Sequence, residues 1–371
     1  MTSIDQSAVE EAIRGYTDPY LGRDLLALDA VKNLQISGGT VSMELVLGYP
    51  WQGLMGAAMS IITHALEDLP GVEAVRIDTQ QKIRAHRPQR DLKPLPNVRN
   101  IIAVASGKGG VGKSTTAVNL ALGLASEGAR VGILDADIYG PSVGLMLGID
   151  DRTRPETREN KYFVPIEAHG LQAMSMAFVV TDKTPMVWRG PMVSGALMQL
   201  LTQTLWDDLD YLILDMPPGT GDIQLTMAQK VPVSGSVIVT TPQDIALQDG
   251  RKGIEMFRKL DITVLGVVEN MSTHICSHCG HQEPLFGSDG GARIADEYET
   301  ELLAQLPLHR TIREQTDSGN PTVVAEPDSE VAMTYRDLAR HAGAILSQRP
   351  RQLSGPIASV SVNEPNGEKQ P

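Results

Sequence analysis

Residues 107–115 read GKGGVGKST, a glycine-rich stretch that satisfies two phosphate-binding patterns at once. Gly107, Gly109 and Gly112 fit G-x-G-x-x-G, the fingerprint of dinucleotide-binding folds. Lys113 and Ser114 complete G-x-x-x-x-G-K-[ST], the P-loop of nucleoside triphosphatases. A dinucleotide site needs no lysine–hydroxyl pair, whereas a triphosphate needs a cation for its charge and a hydroxyl to help hold Mg²⁺. The stretch therefore favours ATP, with a hydride carrier as the alternative.

The residues around this loop also suit a nucleotide site. Residues 100–106, NIIAVAS, have the composition of a buried strand, and a helix beginning near Gly112 would direct its positive end at the phosphates. Asp135 and Asp137 end a second strand, and Asp215 ends a third. Because the carboxyl ends of parallel strands meet at one edge of a sheet, these carboxylates are expected beside the phosphates, where Mg²⁺ and the attacking water need them.

Short apolar runs alternate with helical patterns from Asn100 onward. The runs are NIIAVAS, RVGILDAD, YLILDMP, GSVIVTTP and ITVLGVVEN. Val, Ile and Leu without polar alternation are typical of strands buried on both faces. Their alternation with helices predicts an α/β domain over residues 99–348, with a doubly wound, mostly parallel sheet and a last helix over about 329–347.

Residues 1–82 are expected to form a separate, small α/β domain. Gly38 and Gly39 fit the turn of a hairpin between two apolar-rich segments. The expected elements are strands over 31–37, 40–48 and 73–79 and a helix over about 53–69.

Two further segments lack any apolar period. Residues 83–98 are rich in Arg, Lys and Pro, which predicts a linker between the domains. Residues 349–371 are rich in Pro, Ser and Gly, which predicts a disordered tail.

Composition limits the function classes. The formal net charge of −13 argues against general nucleic-acid binding. The N-terminus lacks the apolar core of a secretory signal, and no run approaches the roughly 18 apolar residues of a membrane span. Two cysteines cannot build a disulfide framework. We therefore expect a cytoplasmic protein with neither a nucleic-acid nor a membrane partner.

The loop contains an extra lysine, Lys108, and so resembles the deviant P-loop of the MinD/ParA-like ATPases, whose signature lysine reaches the nucleotide of a partner subunit. Five further strings occur in order: DADIYGPS (135–142), MVWRGPM (186–192), DMPPGTGD (215–222), TTPQDIAL (240–247) and VENMSTHICSHCG (268–280). Together they resemble the Mrp, or ApbC-like, family of iron–sulfur cluster carrier ATPases over about residues 100–345.

The N-terminal unit resembles the small domain fused to many such carriers and found alone in iron–sulfur assembly factors. Many versions carry a cysteine in the loop before the helix, but LGYPWQG (47–53) has none. We therefore expect this unit to dock a partner or support a dimer rather than to bind a cluster.

The resemblance implies roles for the loop residues. Lys113 would bind the β- and γ-phosphates of ATP, Ser114 would bind Mg²⁺, and Lys108 would reach the partner subunit's phosphates. The nucleotide-binding set comprises Gly107, Lys108, Gly109, Gly110, Val111, Gly112, Lys113, Ser114 and Thr115.

Three residues beyond the loop receive roles from the same resemblance. Asp137 would position the hydrolytic water, and Asp215 would support Mg²⁺ through its hydration shell. Asn270 matches an adenine-contacting position, although a strand-end asparagine is also a common turn residue.

Cys276 and Cys279 form a C-x-x-C pair that can direct two thiolates at one metal. A tetrahedral zinc or a cubane cluster takes four ligands, so the pair is incomplete by itself. Two subunits could each give two thiolates to a bridging 4Fe-4S cluster, which an expected homodimer favours. The alternatives are a zinc site completed by a histidine (His274, His278 or His281) and a redox dithiol.

The sequence thus predicts a homodimeric ATPase that takes a 4Fe-4S cluster from a scaffold donor and delivers it to apoproteins. A MinD/ParA-like positioning switch and a nucleotide-dependent zinc regulator are the competing hypotheses.

Overall fold

The computed structural model describes residues 4–89, 92–179, 190–276 and 278–350. Residues 186–189 of the MVWRGPM string and the expected tail beyond residue 350 lie outside the described residues.

The N-terminal elements are a helix, a hairpin, a second helix and a third strand. Their bounds are α1 Gln6–Arg14, β1 Val31–Ser37, β2 Thr40–Leu47, α2 Gln52–Glu67 and β3 Ala74–Gln81. Strand β2 pairs antiparallel with β1 and parallel with β3. Gly38 and Gly39 have positive φ in the hairpin turn, which confirms the predicted hairpin.

The remaining described elements belong to the larger unit. The strands are β4 Val98–Ala105, β5 Val131–Asp135, β6 Thr157–Arg158, β7 Tyr162–Phe163, β8 Ile166–Ala168, β9 Leu171–Ser175, β10 Leu209–Asp215, β11 Gly235–Thr240, β12 Val264–Ile275, β13 Gln282–Glu283 and β14 Glu301–Leu308. The helices are α3 Lys113–Ser126, α4 Val143–Met146, α5 Gly190–Gln203, α6 Asp222–Lys230, α7 Asp244–Lys259, α8 Gly290–Glu297, α9 Arg310–Asp317, α10 Thr322–Ala325 and α11 Glu330–Ser347.

Within the described ranges, the main sheet runs β13-β12-β11-β4-β10-β5-β9-β8, with β14 also paired to β12. All its pairs are parallel except β8 with β9 and β12 with β13. Apolar clusters cover both faces, so the central strands are buried on both sides. The predicted doubly wound α/β class, its five strands and its last helix are confirmed.

The sequence patterns missed β9 and β14 and the extension of β12 into a hairpin. Strand β14 includes Gln305 and Pro307, and β12 continues through the polar residues Ser272 and Thr273. Pairing with neighbouring strands forms these elements without an unbroken apolar run.

Residues 83–89 of the predicted linker pack on the larger unit. His86 is buried, and its backbone N–H donates to Oδ1 of Asn100 at 3.0 Å. Buried Gln89 donates from Nε2 to the carbonyl oxygens of Ala228 and Val231 at 2.8 and 2.6 Å. These bonds hold the predicted linker against the sheet.

A buried ion cluster joins the N-terminal unit to the larger one. Glu127 caps the C-terminal end of α3, and its Oε2 accepts from the backbone N–H of Gly53 on α2 at 2.7 Å. Its Oε1 accepts from Arg336 and Arg340 of α11 at 2.8 and 2.6 Å. The helix that follows the glycine loop is therefore tied to the N-terminal unit through one carboxylate.

Candidate functional site

The glycine loop lies between β4 and α3, at the carboxyl edge of the parallel strands. Gly110 and Gly112 have φ of +82°, which favours glycine. A Cβ at Gly107 would lie 2.1 Å from the carbonyl oxygen of Asp249, and a Cβ at Gly112 would lie 2.1 Å from Nδ2 of Asn270. Neither position can accept a side chain without moving its neighbours, so conformation and packing both require these glycines.

Lys113 and Asp215 form a buried ion pair at this edge. Nζ of Lys113 lies 2.5 Å from Oδ1 of Asp215 and 3.1 Å from Oγ of Ser114. Asp215 ends β10, which pairs directly with β4, so the two central strands bring the lysine and the carboxylate together. The predicted loop residues and the predicted strand-end acid therefore share one site.

Asp135 organises the loop that carries Asp137. Its buried carboxylate accepts from the backbone N–H groups of Asp137, Ser142 and Val143 at 2.9 to 3.1 Å. These bonds fold residues 136–142 over the carboxyl end of β5. Asp137 is half-buried, and its Oδ1 accepts from the N–H of Gly140 at 3.3 Å.

The two buried carboxylates at this edge, Asp135 and Asp215, have raised pKa values. Burial raises the pKa of Asp135, and the charge of Asp215 raises it further. Burial also raises the pKa of Asp215, although the Lys113 ammonium opposes the shift. Oδ2 of Asp215 is buried and has no hydrogen-bond partner among the described residues. A hydrated divalent cation beside the Ser114 hydroxyl would satisfy this oxygen, so the residues present fit Mg²⁺.

The remaining loop residues line the same edge. Gly109 and Gly110 are exposed, and Lys108 is half-buried, with its carbonyl oxygen accepting from Oγ of Ser106 at 2.9 Å. Thr115 lies in the first turn of α3. Asn270 comes from a different strand, β12, and its Nδ2 donates to the carbonyl oxygen of Val111 at 2.8 Å. Its predicted adenine contact stays a prediction.

Cys276 and Cys279 lie at the tip of the β12–β13 hairpin. The backbone N–H of Cys276 donates to the carbonyl oxygen of His281, and the N–H of Gly280 donates to the carbonyl oxygen of Cys276, each at 2.9 Å. Gly280 has a φ of +71°, as the tight turn requires. Cys276 is half-buried and Cys279 is exposed, so both thiols stand at the surface.

The turn favours the thiolate form of Cys276. The backbone N–H groups of Cys279 and His278 donate to its sulfur, and the Cys279 thiol adds a further bond, so the pKa of Cys276 is lowered. In the part of the chain that the structure describes, no group of three or more Cys, His, Asp and Glu side chains is placed to hold a metal ion. The turn therefore presents two free thiols at the surface, and thiolates are ligands that metal ions prefer.

A glycine-rich loop between a strand and a helix, a buried ion-paired lysine and strand-end carboxylates on a doubly wound sheet define the class of P-loop nucleoside triphosphatases. Residues 97–342 match the family model described as NUBPL iron-transfer P-loop NTPase. Residues 6–78 match the model of an iron-sulfur cluster assembly protein. The chain belongs to the NUBPL/Mrp family of iron–sulfur cluster carrier proteins.

The relatives agree with this assignment. The iron-sulfur cluster carrier protein of Pseudomonas fragi is 65% identical over 75% of this chain and 97% of its own length. The protein of the same name from Escherichia coli is 48% identical over 96% of each chain. Among solved structures, a nucleotide-binding protein from Archaeoglobus fulgidus in complex with ADP is 34% identical, with a TM-score of 0.55 over 63% of this chain and 90% of that one.

Sequence reasoning missed several residues that shape the site. The sequence predicts Asp135 as one of the acids beside the phosphates, but it does not predict that the Asp135 carboxylate anchors the loop that carries Asp137. It also missed the glycine-loop contact of Asn270 and the Glu127 cluster at the far end of α3. No local pattern indicates the contacts of Asn270 and Glu127, because each joins residues far apart in the chain.

Proposed function

We propose that this protein is an ATP-hydrolysing carrier that holds a 4Fe-4S cluster between two identical subunits and delivers it to apoproteins. The observation that carries the proposal is the surface turn at the end of β12, which offers two sulfurs per chain. A cubane cluster is usually held by four thiolates, so two copies of this turn complete one set.

The nucleotide edge offers the surface for such a pairing. Two large apolar side chains lie at the carboxyl ends of β5 and β11: Tyr139 is 62% exposed and Ile245 is 71% exposed. They lie at the same edge of the sheet as Lys108. Exposed apolar groups beside a reactive site are typical of a protein interface, and they support the cross-subunit role proposed for Lys108.

Hydrolysis would use the residues of each nucleotide site. Lys113 would leave Asp215 to neutralise the β- and γ-phosphates, and Asp137 would orient the water that attacks the γ-phosphorus as the bond to the bridging oxygen breaks. Mg²⁺ held by Ser114, with Asp215 supporting its water shell, would offset the charge that develops on the phosphate oxygens. The products are ADP and inorganic phosphate.

We also infer that residues 1–82 form a docking domain and 99–348 the ATPase domain, with 83–98 between them. The two family matches, over 6–78 and 97–342, support this division. The expected partners are a scaffold donor and apoprotein recipients in the cytoplasm. Among the described helices, none is long and apolar enough to cross a membrane.

Metal analysis tests the proposal. After anaerobic reconstitution, the dimeric fraction should contain about two irons per chain with matching sulfide, because one cubane is shared by two chains. Cys276→Ser and Cys279→Ser should each lose the cluster while keeping ATP binding. His281→Ala is the matched control, because its backbone carbonyl in the turn is unchanged, and it should retain iron.

Three outcomes would contradict the bridging cluster. Four irons in a monomeric chain would show that one subunit suffices. Stoichiometric zinc in place of iron, lost in His281→Ala, would favour the histidine-assisted zinc site. Full iron retention in either cysteine variant would remove the turn from the site.

A further inference from the structure

Strand β12 carries residues of both candidate sites. It spans Val264–Ile275, with Asn270 in its second half and Cys276 immediately after its end. At about 3.3 Å per residue, the six residues from Asn270 to Cys276 cover at most about 20 Å. One short length of backbone therefore joins the nucleotide edge to the cysteine turn.

Asn270 is closely packed against the glycine loop. Its Nδ2 donates to the carbonyl oxygen of Val111 at 2.8 Å, and the side chain is 8% exposed. The same nitrogen would lie 2.1 Å from a Cβ on Gly112, so only a glycine fits against it. Because this contact is close-packed, a change in the loop backbone at Val111 or Gly112 must move the amide or break its bond.

The strand changes conformation directly after Asn270. Met271 has a φ of +57°, in the left-handed region that a non-glycine residue in a strand rarely adopts. The pairing of β12 with β14 shifts register between Asn270 and His274. Within the same interval, Oγ of Ser272 donates to the carbonyl oxygen of Leu306 at 3.0 Å. Such irregularities redirect a strand, so Met271 sets the direction in which the turn projects.

We propose that Asn270 is a positioning residue that couples the state of the glycine loop to the geometry of the Cys276 and Cys279 turn through β12, with the bulge at Met271 as the point of bending. The inference rests on the proposed function, since it supplies a route between its two sites.

Nucleotide binding provides the change that Asn270 would transmit. Lys113 follows Val111 by two residues and is paired with Asp215 in this structure. To bind phosphate, its ammonium must exchange that carboxylate for the new anion, and the loop between Val111 and Lys113 must accommodate the exchange. The carbonyl of Val111 carries the displacement to Asn270.

The chain provides its own reporter. Its two cysteines both lie in the turn, so the rate of thiol alkylation in the cluster-free protein measures this turn alone. We would measure the iodoacetamide reaction rate without nucleotide and with saturating ADP or a non-hydrolysable ATP analogue. In the wild type, nucleotide should change the rate by about fivefold or more, the lower range of common allosteric couplings.

Two variants distinguish a role of Asn270 in transmitting the loop change from a role in binding the nucleotide. Asn270→Asp removes the donor to the Val111 carbonyl at nearly constant size, and Asn270→Ala removes the whole amide. Because the adenine contact predicted for Asn270 would contribute to affinity, each variant is measured at a nucleotide concentration that saturates it. At saturation, both variants should lose the rate change. Thr300→Ala is the matched control, because it removes a bond to the carbonyl oxygen of Val264 at the other end of β12, outside the segment from Asn270 to Cys276, and it should keep the change.

Four outcomes would overturn the proposal. They are a nucleotide-dependent rate that persists in both Asn270 variants, its absence in the wild type, its loss in Thr300→Ala, and failure of both Asn270 variants to bind nucleotide at any concentration. The last would assign Asn270 to nucleotide binding alone. None of them changes the iron content per dimer, so failure of the coupling is distinguishable from failure of the bridging cluster.

Discussion

Nζ of Lys113 lies 2.5 Å from Oδ1 of Asp215, and the two side chains are 6% and 0% exposed. The P-loop lysine therefore has a carboxylate partner within its own chain. In the proposed function, nucleotide binding exchanges one anion for another at Lys113, and the carboxylate that Lys113 leaves would support Mg²⁺. This exchange would connect the phosphate-binding and metal-binding parts of the site.

Lys113→Ala should abolish nucleotide binding while the fold persists. Each charge-assisted contact to phosphate is worth ~1.5 to 3 kcal/mol, and the variant loses those of the ammonium. Isothermal titration with ADP and an ATP analogue, with and without Mg²⁺, measures the loss. Lys252→Ala, which removes an exposed lysine paired with Asp249, should bind like the wild type. Unchanged affinity in Lys113→Ala would remove the P-loop assignment.

Asp215→Asn should strengthen nucleotide binding measured without Mg²⁺, because Lys113 no longer has to leave a carboxylate. We expect a gain of roughly tenfold, or ~1.4 kcal/mol. Hydrolysis with Mg²⁺ should fall, since the oxygen that supports the ion loses its charge. Weaker Mg²⁺-free binding together with normal hydrolysis would contradict the exchange.

Lys108→Ala should leave nucleotide binding nearly intact and reduce hydrolysis, because its phosphate contact is proposed to be made across the dimer. Mixed dimers test this role. A dimer of one Lys108→Ala subunit and one Asp137→Ala subunit contains one intact site, because the Lys108→Ala subunit keeps its own Asp137 and receives Lys108 from its partner. Activity should return on mixing. If mixed dimers form and stay inactive, Lys108 does not act on the partner's nucleotide.

Glu127→Gln should destabilise the protein by ~3 to 5 kcal/mol at pH 7, as expected when one partner of a buried ion pair is removed. Arg340, which is 2% exposed, keeps its charge and its pair with Asp337 but loses the buried carboxylate of Glu127. Urea unfolding measures the change. Glu297→Gln, which breaks the exposed pair with Arg251, is the matched control and should cost under about 1 kcal/mol.

The effect of Glu127 should depend on pH. Burial alone would raise its pKa, but hydrogen bonds from Arg340, the Gly53 N–H and Arg336 outweigh burial, and the net pKa is lowered. A carboxyl with a depressed folded pKa stabilises above its unfolded pKa of about 4.3 and loses that contribution as pH falls through the folded value. The gap between wild type and Glu127→Gln should therefore narrow below about pH 4. A constant gap would contradict an ionised Glu127.

The sequence by itself determined the nucleotide loop, the parallel sheet and the two-cysteine turn. Each of these features depends on residues that are close together in the sequence. The stretch GKGGVGKST contains both the glycines and the lysine of the loop, and the buried strands are continuous runs rich in Val, Ile and Leu. Cys276 and Cys279 lie three positions apart. Such features can be predicted because backbone conformation and burial restrict which residues occur in one short stretch of sequence.

The tertiary structure alone decided how these parts contact one another. The Lys113–Asp215 pair spans 102 positions, the Asn270–Val111 bond 159, and the Glu127–Arg340 pair 213. Parallel strands separated by crossover helices bring their carboxyl ends together, so partners at that edge come from distant segments. The polar residues in these contacts follow no periodic sequence pattern. Each pairs with one buried partner that lies beside it only in the folded chain.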